Sequence, residues 1–158
     1  MIELYEGVPG SGKSYHAICE KFLPWVKQGR RLYIAVDGIY LDRLSLFTGI
    51  DLQTLEQQIT LWKDSVEVLQ DFPHVEPGSA VIIDEAQTVF RSMQKVEPGL
   101  LRWLETHRHY GVDILLMSQD FRQMSQGVTR LIEATVKFRK LAFVGLSKKY
   151  QGKVRGNP

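Results

Sequence analysis

The residues best suited to chemistry lie near the start of the chain: Gly7-Val8-Pro9-Gly10-Ser11-Gly12-Lys13-Ser14. They match the pattern G-x-x-x-x-G-K-[ST] in full. A phosphate group needs a concave ring of backbone N–H donors, and glycines let the chain take positive φ angles and approach the oxygens closely. A helix opening at Lys13 would aim its N-terminal dipole at the same anion. Lys13 is expected to reach the β- and γ-phosphates, and the Ser14 hydroxyl to bind Mg²⁺. Val8, Pro9, Gly10, Ser11, Gly12, Lys13, Ser14 and Tyr15 form the expected nucleotide-binding set.

A second group follows an apolar run, in Val81-Ile82-Ile83-Asp84-Glu85. Asp84 is placed to accept hydrogen bonds from magnesium-bound water or from Ser14. Glu85 is placed to polarise the attacking water, with Lys13 supplying charge. Successive side chains at a strand end point in different directions, so adjacent carboxylates can serve separate roles. The bland alternative is a pair of acids at the start of a helix.

A third group closes the apolar run Val112–Met117, as Ser118-Gln119-Asp120. If this strand lies between the first strand and the Asp84 strand, Gln119 can orient water at the γ-phosphate; otherwise it is a helix or turn cap. Arg108 has the spacing to share the buried stripe of the preceding helix, either as a structural ion-pair partner or as a phosphate sensor. Arg91, Arg122 and Arg130 are the remaining arginine-finger candidates. A finger acting in trans would imply a ring-like homo-oligomer. His107 and His109 are two residues apart, so on a helix they do not face one another, which argues against a metal pair.

These residues need elements to hold them. Ile2–Tyr5, Leu32–Val36, Ala80–Ile83 and Val112–Met117 read as buried strands. Ala134–Val144 reads as a final strand, or as a hairpin with a bend near Lys140. Residues 13–27 read as a helix in which Pro24 forecasts a kink or an early end. A helix from Pro98 to about Tyr110 would be closed by Gly111. The segment 38–79 is the hardest to read, with helix-like patterns at Leu41–Phe47 and Leu52–Leu69 and a break near Thr60. Strands alternating with helices predict an α/β three-layer sandwich with a mostly parallel sheet of about five strands. Ligands then bind beyond the carboxyl ends of the strands, where all three groups lie.

Composition sets outer bounds. The chain has 158 residues, one domain's worth, with 44% hydrophobic and 24% charged residues. A net charge of +2 argues against a wholesale basic nucleic-acid binder. The charge is uneven, since Lys137, Arg139, Lys140, Lys148, Lys149, Lys153 and Arg155 are met after position 136 without an Asp or Glu. A single cysteine, Cys19, excludes an intrachain disulfide. No run of apolar residues is long enough to span a bilayer.

Gly7–Ser14 followed by Tyr15, Pro77-Gly78-Ser79 leading to Ile83-Asp84-Glu85-Ala86-Gln87, His107-Arg108-His109-Tyr110-Gly111-Val112-Asp113, and Ser118-Gln119 together resemble the zonula occludens toxin-like family. These are the gene I assembly and export proteins of filamentous bacteriophages. The resemblance spans roughly residues 1–145 and implies a P-loop NTPase fold with an additional strand and a catalytic glutamate, as in FtsK- and HerA-type ATPases. It further implies an ATPase using ATP and Mg²⁺ at the cytoplasmic face of the bacterial inner membrane, powering phage assembly and extrusion. The implied partners are further copies in a homo-oligomer of the kind that superfamily often forms as hexameric rings, other assembly proteins and virion coat proteins, with single-stranded DNA contact open. ATP rather than GTP follows from the resemblance and from the absence of an N-K-x-D motif. Residues 1–145 are assigned to the ATPase domain. Residues 146–158 are expected to be a basic tail, juxtamembrane in a longer protein whose membrane helix lies beyond this chain. A nucleic-acid-translocating motor and a non-hydrolysing, nucleotide-gated interaction module are the competing readings.

Overall fold

The computed structural model of the chain describes residues 1–140 and 150–156. Its centre is one sheet in the order β3-β2-β4-β5-β1-β6-β7. The strands are β1 (Ile2–Glu6), β2 (Leu32–Ala35), β3 (Ile59–Leu61), β4 (Ala80–Ile83), β5 (Asp113–Ser118), β6 (Ala134–Lys140) and β7 (Tyr150–Gly156). All pairings are parallel except β6–β7. Among the described residues the sheet thus has seven strands where about five were expected.

Both extra strands have readable causes. Ile59–Leu61 follows helix α4 (Leu52–Gln58) directly, with no glycine or proline between them. Three residues are too few to show a period of two against a helical pattern. The β7 segment is polar and basic, so it carries no apolar signature. It pairs antiparallel with β6 from Ala134↔Gly156 to Lys140↔Tyr150. Much of the expected basic tail is therefore the last strand of the sheet rather than a free extension. The expected run of the preceding strand through Val144, and Lys148 and Lys149, lie outside the described residues.

Alternation along the strands builds two cores. Leu4, Val81, Ile83, Ile114 and Leu116 face one side, with Val68, Leu100, Leu104 and Val128. The last four come from α5 (Ser65–Asp71), α6 (Pro98–Thr106) and α7 (Gln126–Thr129). Tyr5, Ile34, Ile82, Leu115 and Met117 face the other, with Ala17, Phe22, Val26, Leu44 and Leu55. These belong to the helical stretch after β1, to α3 (Leu41–Thr48) and to α4. Every residue of β4 is buried, as a parallel strand covered on both faces must be. The expected three-layer sandwich is what forms.

The stretch after β1 runs as α1 (Lys13–Ala17), a π-helical turn (Ile18–Phe22) and α2 (Leu23–Lys27). Pro24 does not end it early. It occupies the second position of α2, directly after the π turn, and the first turn of a helix tolerates a residue without an N–H. After α6, the chain continues as a 3-10 turn, His107–Tyr110, stopped by Gly111 at φ 63°. The opposite end of the sheet from the carboxyl termini is tied by Arg30. Its guanidinium donates to Asp113 Oδ2 at 2.8 Å, to Gly78 O at 2.8 Å and to Ser79 O at 2.9 Å. Asp113 also accepts from the Met1 ammonium at 2.9 Å. Burial favours the neutral form of the Asp113 carboxyl, but these two cations hold it below the usual carboxylate range.

Candidate nucleotide site

The phosphate-loop sequence leaves β1 and is held on both sides. The Gly7 N–H donates to Ser118 O of β5 at 3.1 Å. A Cβ on Gly7 would meet Phe138 O of β6 at 2.7 Å, so only glycine lets the loop pass between these strands. Gly10 and Gly12 have φ of 70° and 95°, the left-handed values that turn successive N–H groups inward. Gly12 caps α1, and the His16 N–H donates to Gly12 O at 3.0 Å. Lys13 is buried, and its ammonium donates to Gly7 O at 2.7 Å. Its charge therefore lies across the mouth of the loop.

Strand order brings the second group to this loop. The Ser14 Oγ donates to Asp84 Oδ2 at 3.4 Å, joining residues 70 positions apart. The Asp84 carboxyl is raised above its usual range, first by burial and then by the Glu85 carboxylate. The Glu85 N–H, Lys13 and Ser14 oppose that rise. A hydroxyl and a carboxylate, both hard oxygen donors, fit a small cation such as Mg²⁺. A divalent charge there would offset what burial disfavours. Glu85 is the one non-glycine residue with positive φ among those described, at 47°. The Asp84 carboxylate braces that turn by accepting the Glu85 N–H at 2.8 Å. A cleft of about 300 Å³ beside the two acids is lined by Asp37, Lys63, Asp64, Thr88 and both carboxylates.

The condition set for Gln119 is met, because β5 lies between β1 and β4. The Gln119 Nε2 stands 3.5 and 3.4 Å from the two Glu85 carboxylate oxygens. Gln87 joins the same cluster and was not singled out from sequence as a site residue. Its Nε2 donates to Glu85 Oε2, while its Oε1 accepts from Ser118 Oγ at 2.9 Å. The one available signal was its place two residues after Glu85 in a polar turn.

The arginines are not drawn to this cluster. Arg108 is exposed and pairs with Glu133 at 2.7 Å. Glu133 also accepts the Ile2 N–H, which places Arg108 at the amino end of the sheet, away from the loop. It does not share the buried stripe of α6. The change from α to 3-10 geometry at His107 turns that histidine inward instead. His107 is buried, its Nδ1 2.7 Å from Leu104 O and its Nε2 3.4 Å from Glu133 Oε1 without a hydrogen bond between them. Arg122 is bound to Asp120 at 2.6 Å. The Arg91 Nε donates to Thr88 O at 3.4 Å on the surface. Arg130 lines a separate cleft with Leu4, Phe121 and Lys137.

Comparison with known proteins gives the family and the fold. The family model described as zonular occludens toxin (Zot) matches residues 1–156. The gene 1 protein of Xanthomonas phage phiLf is 26% identical over 96% of this chain and 37% of its own length. ORF301 of Pseudomonas phage Pf3, named as an assembly protein, is 31% identical over 75% of this chain and 36% of its own. The chain thus spans well under half the length of these relatives. Among solved structures, the genome packaging NTPase B204 from Sulfolobus turreted icosahedral virus 2, solved in complex with ATP-gammaS, superposes with a TM-score of 0.63. That likeness covers 93% of this chain and 80% of B204 at 21% identity, and it establishes the fold alone. The fold is that of P-loop NTPases, and the chain belongs to the zonular occludens toxin (Zot) family.

Proposed function

We propose that the chain binds ATP with Mg²⁺ and hydrolyses it as the motor domain of a phage assembly machine. The observation that carries this reading is the junction of Ser14 and Asp84, 3.4 Å apart beside the buried Lys13. It unites the loop that would hold phosphates with the acid that would hold the metal. Mg²⁺ held by Ser14, with Asp84 reached through water, would neutralise charge on the β- and γ-phosphate oxygens. The loop N–H groups and Lys13 bind and orient the triphosphate. Glu85 holds the attacking water and takes up its proton, while Gln119 fixes the carboxylate and that water in line. The bond from the γ-phosphorus to the ADP oxygen breaks as the bond to water forms. Positioning and electrostatics carry such a reaction, and this site supplies both.

The family relationship and the named role of the Pf3 relative support a place in phage morphogenesis. We place the domain at the cytoplasmic face of the host inner membrane, in a homo-oligomer that drives extrusion. In this reading the basic carboxyl-terminal segment faces the membrane in a longer protein. No helix among the described residues is long and apolar enough to cross a membrane.

Steady-state hydrolysis against protein concentration, with Lys13→Ala and Glu85→Gln alongside, tests this. Turnover rising with concentration and lost in both variants, with ATP binding lost only in Lys13→Ala, is expected. ATP bound equally well by Lys13→Ala would overturn the assignment of the loop.

A further inference from the structure

The order of strands around β1 gives the nucleotide site two sides. Asp84, Glu85 and Gln119 all stand at the ends of β4 and β5, on one side of β1, and β6 stands on the other. A triphosphate lying along the loop with its γ-phosphate toward Glu85 and Gln119 must direct its nucleoside toward β6. This orientation rests on the function proposed above.

The end of β6 is built to meet it. Register pairs Glu6 with Lys137, so Lys140 lies three residues beyond the last paired residue of β1. At about 3.3 Å per residue, the strand overhangs β1 by roughly 10 Å. That overhang forms a wall beside the phosphate loop. Phe138 anchors it, with its ring 5.2 Å from Tyr5 and 5.3 Å from His16 of α1. Lys140, two residues further, emerges on the same face as Phe138. A Cβ built on Gly10 would stand 3.2 Å from Lys140 Cε and 3.3 Å from Nζ. The lysine side chain therefore lies directly against the loop, on the side away from the carboxylates. Glycine at position 10 is required there for its φ of 70° and also leaves room for this side chain.

From this we infer that Lys140 is a nucleoside-side binding residue, whose four-carbon stem and ammonium pack on the ribose and base of the bound nucleotide. A stem with a terminal cation presents both an apolar surface and a charge attracted to a ring face. Such a contact is made equally in ground state and transition state, so it governs affinity rather than the chemical step.

The test compares Lys140→Ala and Lys140→Arg with the unaltered chain. Fluorescent ATP and ADP analogues and inorganic tripolyphosphate are titrated, and hydrolysis is measured over a range of ATP concentrations up to saturation. Lys140 is exposed, so the alanine variant should fold. The expected result is a roughly tenfold loss of affinity for ATP and ADP alike. It comes with a matching rise in KM, a change in kcat under about twofold, unchanged tripolyphosphate binding, and recovery in the arginine variant. Unchanged ATP affinity overturns the inference. So does an equal loss for tripolyphosphate, which would place the ammonium on the phosphates, or a fall in kcat at constant KM, which would make it a finger. Failure of the underlying reading is distinct: neither the unaltered chain nor the variants would then bind ATP.

Discussion

The Gln119 Nε2, one residue past β5, lies 3.4 Å from Glu85 Oε2 just past the end of β4, an amide donor aimed at a carboxylate across the strand boundary. Gln87 holds the same oxygen, and Ser118 fixes the orientation of the Gln87 amide. The carboxylate is thus held on two sides by amides that leave its charge intact. Gln119→Leu removes one holder and, in the proposed mechanism, a side chain that helps Glu85 orient the attacking water. Its kcat should fall by about 10²-fold, with the Kd for ATP changed by less than about twofold. Parallel binding and turnover assays check this, and wild-type turnover in the variant would make Gln119 a structural cap.

Glu85 combines backbone strain with its proposed role as the base. A non-glycine residue at φ 47° costs about 1 kcal/mol or more, and the bond from its N–H to Asp84 holds it there. Glu85→Gly should abolish hydrolysis and yet leave the domain as stable or up to about 1 kcal/mol more stable. Glu85→Gln should abolish hydrolysis without that gain. Denaturant melts of the three proteins decide it. A glycine variant destabilised by more than about 1 kcal/mol would mean that the hydrogen bonds of the side chain outweigh the strain.

The parts of this site legible in the sequence are those that act within a few residues. Gly7–Ser14 carries its own geometry in its glycines, and Asp84-Glu85 follows a strand too apolar to be misread. Gln119 needed strand order, which the chain sequence of loop, acids and polar strand end suggested and the sheet supplies. Gln87 was not legible, because its role depends on Glu85 and Ser118 meeting from two strands. Lys140 read as one basic residue among several, since nothing local says that β6 overhangs the loop. Arg108 was misplaced for a local reason: a period of 3.6 was extended through residues that follow a period of three.

Arg30 predicts a stability effect separable from binding. Its guanidinium joins Gly78, Ser79 and Asp113 at the amino end of the sheet, distant from the loop. Removing it leaves the two carbonyls without their charged donor and Asp113 with the Met1 ammonium as its remaining cation, at a cost of about 1–2 kcal/mol. Arg30→Ala should lower the thermal midpoint while leaving the Kd for ATP of the folded protein unchanged. A midpoint within a degree or so of wild type would mean that water replaces the guanidinium fully.

His107 predicts how stability responds to acid. Burial lowers its imidazole below the usual value of 6.5, with Arg108 and the Met1 ammonium acting in the same direction. The Leu104 carbonyl and Glu133 act against it without prevailing. The folded state therefore prefers neutral His107, and the unfolded chain binds a proton first. Stability from this group is complete above the unfolded value and declines as pH falls from there through the folded value. The carboxyls of Asp113 and Glu133 are held below their usual ranges, so their contributions are lost only at lower pH. Unfolding free energy should thus fall in two stages, one starting near pH 6.5 and one starting near pH 4.5. His107→Gln keeps a polar side chain of similar size and cannot take up the proton, so it should remove the first stage and leave the second. Chemical denaturation at half-unit pH intervals measures both. A first stage that persists in the variant would assign it to another group.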